Sequence, residues 1–176
     1  MESNQGIVHI KITRCRETAH LPFYARIGDA GMDIVAVQDV LLKPGQTGMI
    51  QTGLKVAIPD GYEIQVRPRS GLSFNTPLRV SNSPGTIDSG YRDEICILIS
   101  NSSCGCMLDR SDMEIPTYNI STKGNLPGNY QIREGDRIAQ IVVGRIPRII
   151  WDETDSVSET GNDRGGGFGS TGTEIT

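Results

Sequence analysis

Apolar and polar positions alternate along this 176-residue chain in short runs, and no window of helical length keeps an apolar 3.6-residue period. Runs of apolar and β-branched residues at 7–13, 33–37, 48–58, 62–67, 94–100 and 137–146 predict strands. Turn signals lie between them, among them Lys43-Pro44-Gly45, Pro59-Asp60-Gly61, Ser83-Pro84-Gly85 and Glu134-Gly135-Asp136. One short helix is predicted, starting near Ser70 and ending before Asn75. Many short strands joined by Gly/Pro turns predict an all-β fold, a sandwich or barrel with a jelly-roll arrangement leading.

Two segments break the alternation. Residues 102–130 are polar and carry Cys104-Gly105-Cys106, which predicts a long surface loop with one extra hairpin. Residues 152–176 are acidic, then glycine-rich, then polar, the composition of a flexible terminus. The organisation read from the chain is one β domain over 1–151, interrupted by an insertion at about 102–130, followed by a tail over 152–176.

Composition narrows the function classes. With a net charge of −4 and a pI of 5.2, the sequence shows no basic stripe of the kind a general nucleic-acid binder carries. Arginines nonetheless outnumber lysines 13 to 4, and Arg67, Arg69, Arg79 and Arg92 fall close together, which is readable as a local anion site and also as ordinary charged surface. No CxxC pair exists and the two histidines lie far from Cys104 and Cys106 in sequence, so structural zinc is not expected. The chain shows no secretory signal and no run of about 20 apolar residues, which predicts a cytosolic protein with reduced thiols and no stable membrane or nucleic-acid binding.

Four segments carry candidate chemistry. In Val66-Arg67-Pro68-Arg69-Ser70-Gly71-Leu72, a guanidinium, a hydroxyl and exposed backbone N–H groups meet at a chain reversal, a combination suited to phosphate oxygens. In the stretch from Gly85 to Glu94, Pro84-Gly85 and Ser89-Gly90 bracket a tight strand pair. Its open backbone groups can pair with the edge of a pyrimidine, beside Asp88 as a general base. Asp88 is also readable as a turn aspartate, and Tyr91 as a packing residue. In Glu134-Gly135-Asp136-Arg137-Ile138-Ala139-Gln140, strand alternation puts Gln140 with Ile138 on one face and Arg137 with Ala139 on the other. Arg164-Gly-Gly-Gly-Phe168-Gly169-Ser170 follows neither the Walker nor the dinucleotide pattern. It suits a tail that folds over phosphates, and it also fits a Gly/Ser linker.

Together with Ala30-Gly31-Met32-Asp33-Ile34, these segments resemble, in order, the five motifs of the trimeric dUTPases, over about residues 21–172. The resemblance implies a jelly-roll-like homotrimer with shared active sites that hydrolyses dUTP to dUMP and pyrophosphate. It assigns Asp88 to the water that attacks the α-phosphorus. Asn82, Thr86, Ile87 and Cys96 would meet uracil and deoxyribose, with Tyr91 packed under the sugar. Arg69, Ser70, Gly71 and Gln140 would hold phosphate oxygens. Phe168 would stack on uracil while Arg164, Gly169 and Ser170 grip the phosphates. Mg2+ would be held by the phosphates and water, with Asp33 structural or a water-mediated contact.

Three features depart from the family pattern. Arg164 precedes Phe168 by four residues rather than five, Asp93 replaces a usual Gly, and residues 102–130 are roughly twenty longer than the usual link. The related dCTP deaminases carry a catalytic Glu seven positions beyond the aromatic residue, where this chain has Leu98. A second alternative is a dUTP-binding regulatory module, whose protein partner would contact the 102–130 insertion.

Overall fold

The computed structural model describes residues 6–104, 114–158 and 160–162. In these residues the chain forms β1 (Lys11–Arg14), β2 (Met32–Val35), β3 (Val40–Leu42), β4 (Thr47–Gln51), β5 (Leu54–Ala57), β6 (Tyr62–Arg67), α1 (Ser70–Asn75), β7 (Leu78–Val80), β8 (Gly85–Ile87), β9 (Cys96–Asn101), β10 (Thr117–Asn119), β11 (Asn129–Ile132) and β12 (Arg137–Arg145). The fold is all-β and jelly-roll-like, as the strand-and-turn pattern predicts. No helix among the described residues is long and apolar enough to cross a membrane.

Four small sheets share one core. Their orders are β1-β5, β10-β11-β3, β2-β12-β6-β8 and β4-β9-β7. β12 is bonded on both sides, to β2 and to β6, the latter from Gln140↔Arg67 to Arg145↔Tyr62. β9 alternates strictly, burying Ile97, Ile99 and Asn101 while Cys96, Leu98 and Ser100 stay half-buried. Ile34, Leu42, Ile50, Leu54, Ile97, Ile99, Ile132 and Ile138 are all at most 1% exposed. Each such side chain contributes about 1.5–3 kcal/mol through burial, which is what holds such short strands together.

The predicted strand over 48–58 is two strands. β4 pairs with β9 and β5 pairs with β1, so the chain changes sheets at Thr52–Gly53. Gly53 has φ +67, and a Cβ there would approach the Ala19 Cβ to 2.7 Å. Only glycine fits that corner. The apolar run hides the corner because both halves face the same core.

The region around the third motif also departs from expectation. The tight strand pair does not form: β8 pairs with β6, while β9 joins β4 and β7. Residues 88–95 therefore bridge two sheets and leave a gap between them.

In its described residues, 102–104 and 114–130, the insertion contributes a strand to a sheet in place of the expected hairpin. β10 adds to β11 in parallel, from Thr117↔Asn129 to Asn119↔Gln131, and Tyr118 stacks against Tyr130 with ring centroids 5.6 Å apart. Its two ends are pinned by Asn101, which is 1% exposed. Asn101 Nδ2 donates to the Leu42 and Gly128 carbonyls, and its Oδ1 accepts from the Ser103 N–H and hydroxyl. Among the described residues, Cys15 and Cys96 are free thiols.

Candidate functional site

β6 ends at Arg67, and after Pro68 the chain turns into α1 at Ser70. Arg69 caps that helix without a side-chain hydrogen bond, so the first-turn N–H groups of Ser70 and Gly71 have no side-chain cap. Both residues are exposed, and nothing lies within 4 Å of a Cβ placed on Gly71. The Arg69 guanidinium turns back toward β2. Its Nε donates to Asp33 Oδ1 at 2.9 Å and its Nη1 to the Arg137 carbonyl at 3.2 Å.

Asp33 is the centre of this group. It is 3% exposed and receives Arg69, then Arg137 Nη1 on Oδ2 at 3.1 Å, then Gln140 Nε2 on Oδ1 at 3.4 Å. A buried carboxylate needs such partners, because desolvation alone would disfavour its charge. Gly31 makes room: a Cβ there would come within 3.1 Å of Gln140 Oε1.

Simple alternation placed Arg137 and Gln140 on opposite faces, yet both reach Asp33. The register between β12 and β2 shifts between Arg137 and Ala139, and one extra residue reverses parity on one side of a bulge. Arg137 thus joins the Asp33 group, which sequence reasoning missed. Its signal was its place in the same Gly135-to-Gln140 motif.

The four neighbouring arginines do not converge. Arg67 binds Gln65, Arg79 donates to the Thr76 and Leu78 carbonyls, and Arg92 donates to those of Ser89 and Tyr91. The arginines that do come together are Arg69 and Arg137, gathered by Asp33.

A second group lies in the gap between β8 and β9. Asn82, Gly85, Thr86, Ile87, Tyr91 and Cys96 line a cavity of about 120 Å3, with Val66, Ile95 and Leu98 as its apolar floor. That is well below the roughly 300–1,000 Å3 of pockets that enclose a whole small molecule. It suits one small planar group with the remainder of a ligand outside. Gly85 is buried and a Cβ there would meet Asn82 Nδ2 at 3.1 Å, so glycine lets the Asn82 amide lie against the strand.

Tyr91 closes the cavity. Its N–H donates to the Asp88 carbonyl at 3.0 Å and its hydroxyl to the Glu94 carbonyl at 2.8 Å. Burial raises the pKa of that hydroxyl, helped by Cys96, Asp93 and Glu94. Burial also raises the Cys96 thiol, with repulsion from Glu94 adding and Arg16 opposing, so Cys96 lines the cavity as a neutral thiol. Asp88 follows β8 directly, is exposed, and makes no side-chain hydrogen bond or ion pair within the described residues. Its carboxylate is open to water.

The two groups do not meet within one chain. Ile64 pairs with Ile87 and Val66 with Gly85, so Asp88 lies beside the start of β6, while Arg69 lies beyond its end. At about 3.3 Å per residue the separation along the strand is roughly 15–20 Å. Arg164, Phe168, Gly169 and Ser170 lie outside the described residues. Among the described residues, no group of three or more His, Cys, Asp or Glu could hold a metal ion.

The comparisons with known proteins agree with one another. The dUTPase family model matches residues 17–119. The deoxyuridine 5'-triphosphate nucleotidohydrolase of Thermobifida fusca (strain YX) is 39% identical over 167 residues, covering 95% of this chain and 80% of that protein. The Clostridium kluyveri protein of the same description is 40% identical over 167 residues, covering 94% and 99%. Among solved structures, a mutant of the Staphylococcus bacteriophage 80alpha dUTPase with dUpNHpp superposes with TM-score 0.80 at 30% identity, covering 94% and 99%. A mutant dUTPase from phage phi11 of S. aureus, described with a structural Mg(II) ion, gives TM-score 0.73 at 29% identity, covering 84% and 97%.

Proposed function

This chain belongs to the dUTPase family, and from that premise we propose that it hydrolyses dUTP to dUMP and pyrophosphate, keeping uracil out of DNA and supplying dUMP for dTMP synthesis. One observation carries the reading: a cavity sized for a single ring, lined by Val66, Ile87 and Leu98, precedes an exposed Asp88 whose carboxylate binds no side chain or backbone group among the described residues. Uracil enters the cavity and pairs with backbone groups of Thr86 and Ile87 and with the Asn82 amide. The sugar rests against the Tyr91 ring and Cys96, where a ribose 2'-hydroxyl has no room. Asp88 takes a proton from the attacking water as its oxygen bonds to the α-phosphorus. The bond from that phosphorus to the bridging oxygen breaks, and pyrophosphate leaves.

The phosphate chain is held by Arg69, Ser70, Gly71 and Gln140, with Arg137 adding charge. Both Asp33 oxygens already serve these side chains, which argues for a structural carboxylate and against a direct metal ligand. The residues present fit Mg2+ held by substrate phosphates and water, since the ion keeps several waters and favours phosphate oxygens. When bound there, it neutralises charge developing on the phosphoryl oxygens.

The separation between Asp88 and Arg69 supports a homotrimer whose sites are shared between copies. A reacting water must sit about 3–3.5 Å from phosphorus, which one chain spanning roughly 15–20 Å cannot arrange. In this reading residues 1–151 form the β domain, and the tail over 152–176 brings Phe168 onto uracil and Arg164, Gly169 and Ser170 onto the phosphates. The protein works in the cytoplasm, with no stable nucleic-acid or membrane contact. Leu98 in the cavity floor offers no carboxylate for deamination. The test is pyrophosphate release from dUTP, UTP, dTTP and dCTP, with Mg2+ present and chelated. Only dUTP should turn over at an appreciable rate, and Asp88→Asn should lower kcat by about 10^2–10^4-fold. Equal rates for Asp88→Asn and the parent would refute the mechanism.

A further inference from the structure

Residues 88–95 connect two sheets without belonging to either, yet they carry Tyr91, which lines the cavity beside the proposed sugar subsite. What fixes that bridge is Glu94. Its Oε1 accepts the Gly53 N–H at 2.8 Å and faces Arg16 Nε at 3.4 Å, while Arg16 Nη2 donates to Gln51 Oε1 at 2.7 Å. The next residue is held at the same corner: Ile95 N–H donates to the Leu54 carbonyl at 2.8 Å, and Thr52 Oγ1 donates to the Ile95 carbonyl at 2.7 Å. The Tyr91 hydroxyl in turn donates to the Glu94 carbonyl. Tyr91 is thereby referenced to the Thr52–Gly53 corner through one residue.

We propose that Glu94 is a positioning residue for sugar selection: its carboxylate locks the 88–95 bridge to the Gly53 corner and so fixes the Tyr91 ring at the distance that excludes a ribose 2'-hydroxyl. The proposal rests on the dUTP reading above and adds a residue to it. Glu94 does not line the cavity, so it touches no ligand and acts only through Tyr91. The bond to the Gly53 N–H carries the effect. The Arg16 pair is more than a third exposed on the arginine side, and such pairs contribute little.

The experiment measures kcat and KM for dUTP and UTP in the parent, Glu94→Ala, Glu94→Gln and Arg16→Ala, with melting temperatures alongside. Glu94→Ala should raise KM for dUTP by about tenfold with kcat within about threefold. It should also lower the dUTP/UTP ratio of kcat/KM by about fivefold or more. Glu94→Gln keeps an oxygen acceptor for Gly53 and should stay within about twofold of the parent, as should Arg16→Ala. An unchanged ratio in Glu94→Ala, or a Glu94→Gln as damaged as Glu94→Ala, overturns the assignment. If Glu94→Ala does not fold, Glu94→Asp, one methylene shorter, is read the same way. A parent inactive on every nucleotide overturns the dUTP reading itself, and the role of Glu94 with it.

Discussion

Asp33 shows how one buried charge sets the chemistry around it. A carboxylate that is 3% exposed would be costly alone, yet it is paired on both oxygens by Arg69 and Arg137 and also bonded by Gln140. Removing it leaves two guanidinium groups close together without their shared anion. Breaking a buried pair costs roughly 3–5 kcal/mol, and the partial exposure of both arginines reduces this to about 2–4. Asp33→Ala should therefore lower the denaturation free energy by that amount and raise KM for dUTP more than it lowers kcat. Parallel urea melts and steady-state kinetics check both. A variant as stable as the parent would show that the two arginines do not depend on Asp33.

At the scale of elements, corners and pins matter more than strand length. β7, β8 and β10 have only three residues each, too short to be stable by pairing alone. They persist because neighbouring chain is fixed by particular side chains. Asn101 holds both ends of the 102–130 insertion through three hydrogen bonds, to Gly128 and Ser103, with a fourth to Leu42 in β3, and Gly128 must stay glycine because a Cβ would meet the Pro116 carbonyl oxygen at 2.6 Å. Asn101→Ala removes the amide's bonds to the Leu42 and Gly128 carbonyls and to Ser103 and should cost about 2–4 kcal/mol, at about 1 kcal/mol per lost bond. Hydrogen exchange should show the loss concentrated in β10 and β11. Uniform loosening of the barrel instead would mean that Asn101 is only a core residue. The link from Asn125 N–H to the Asn75 carbonyl, at 2.8 Å, joins the insertion to the end of α1, the helix that starts at Ser70.

At the scale of the whole molecule, the proposed site divides between copies. One copy offers the cavity and Asp88, another offers Arg69, Ser70 and Gln140. Asp88→Asn and Arg69→Ala should each be nearly inactive alone. Co-refolded in equal amounts, random assembly should restore about a quarter of the sites, because each site then draws Asp88 and Arg69 from independent copies. Pyrophosphate release from the mixture checks this, and a mixture as inactive as its components would place both residues in one copy's site.

The sequence by itself determined the all-β class, a short helix starting at Ser70, and β6 to the residue. Local alternation, turn residues and motif order are properties of consecutive positions, so they are written in the chain. Only the tertiary structure decided what depends on distant partners. The sheet change at Gly53 was hidden because both halves of 48–58 bury the same apolar face. The pairing of β8 with β6 and not with β9 depended on a strand some twenty residues away. Arg137 reached Asp33 through a bulge that composition does not mark, while Arg67, Arg79 and Arg92, within 25 residues of one another, found separate carbonyl or amide partners. The order within β10 and the separation of Asp88 from Arg69 likewise followed from packing, because hydrogen-bond partners far apart in the chain are chosen by geometry and not by neighbouring residues.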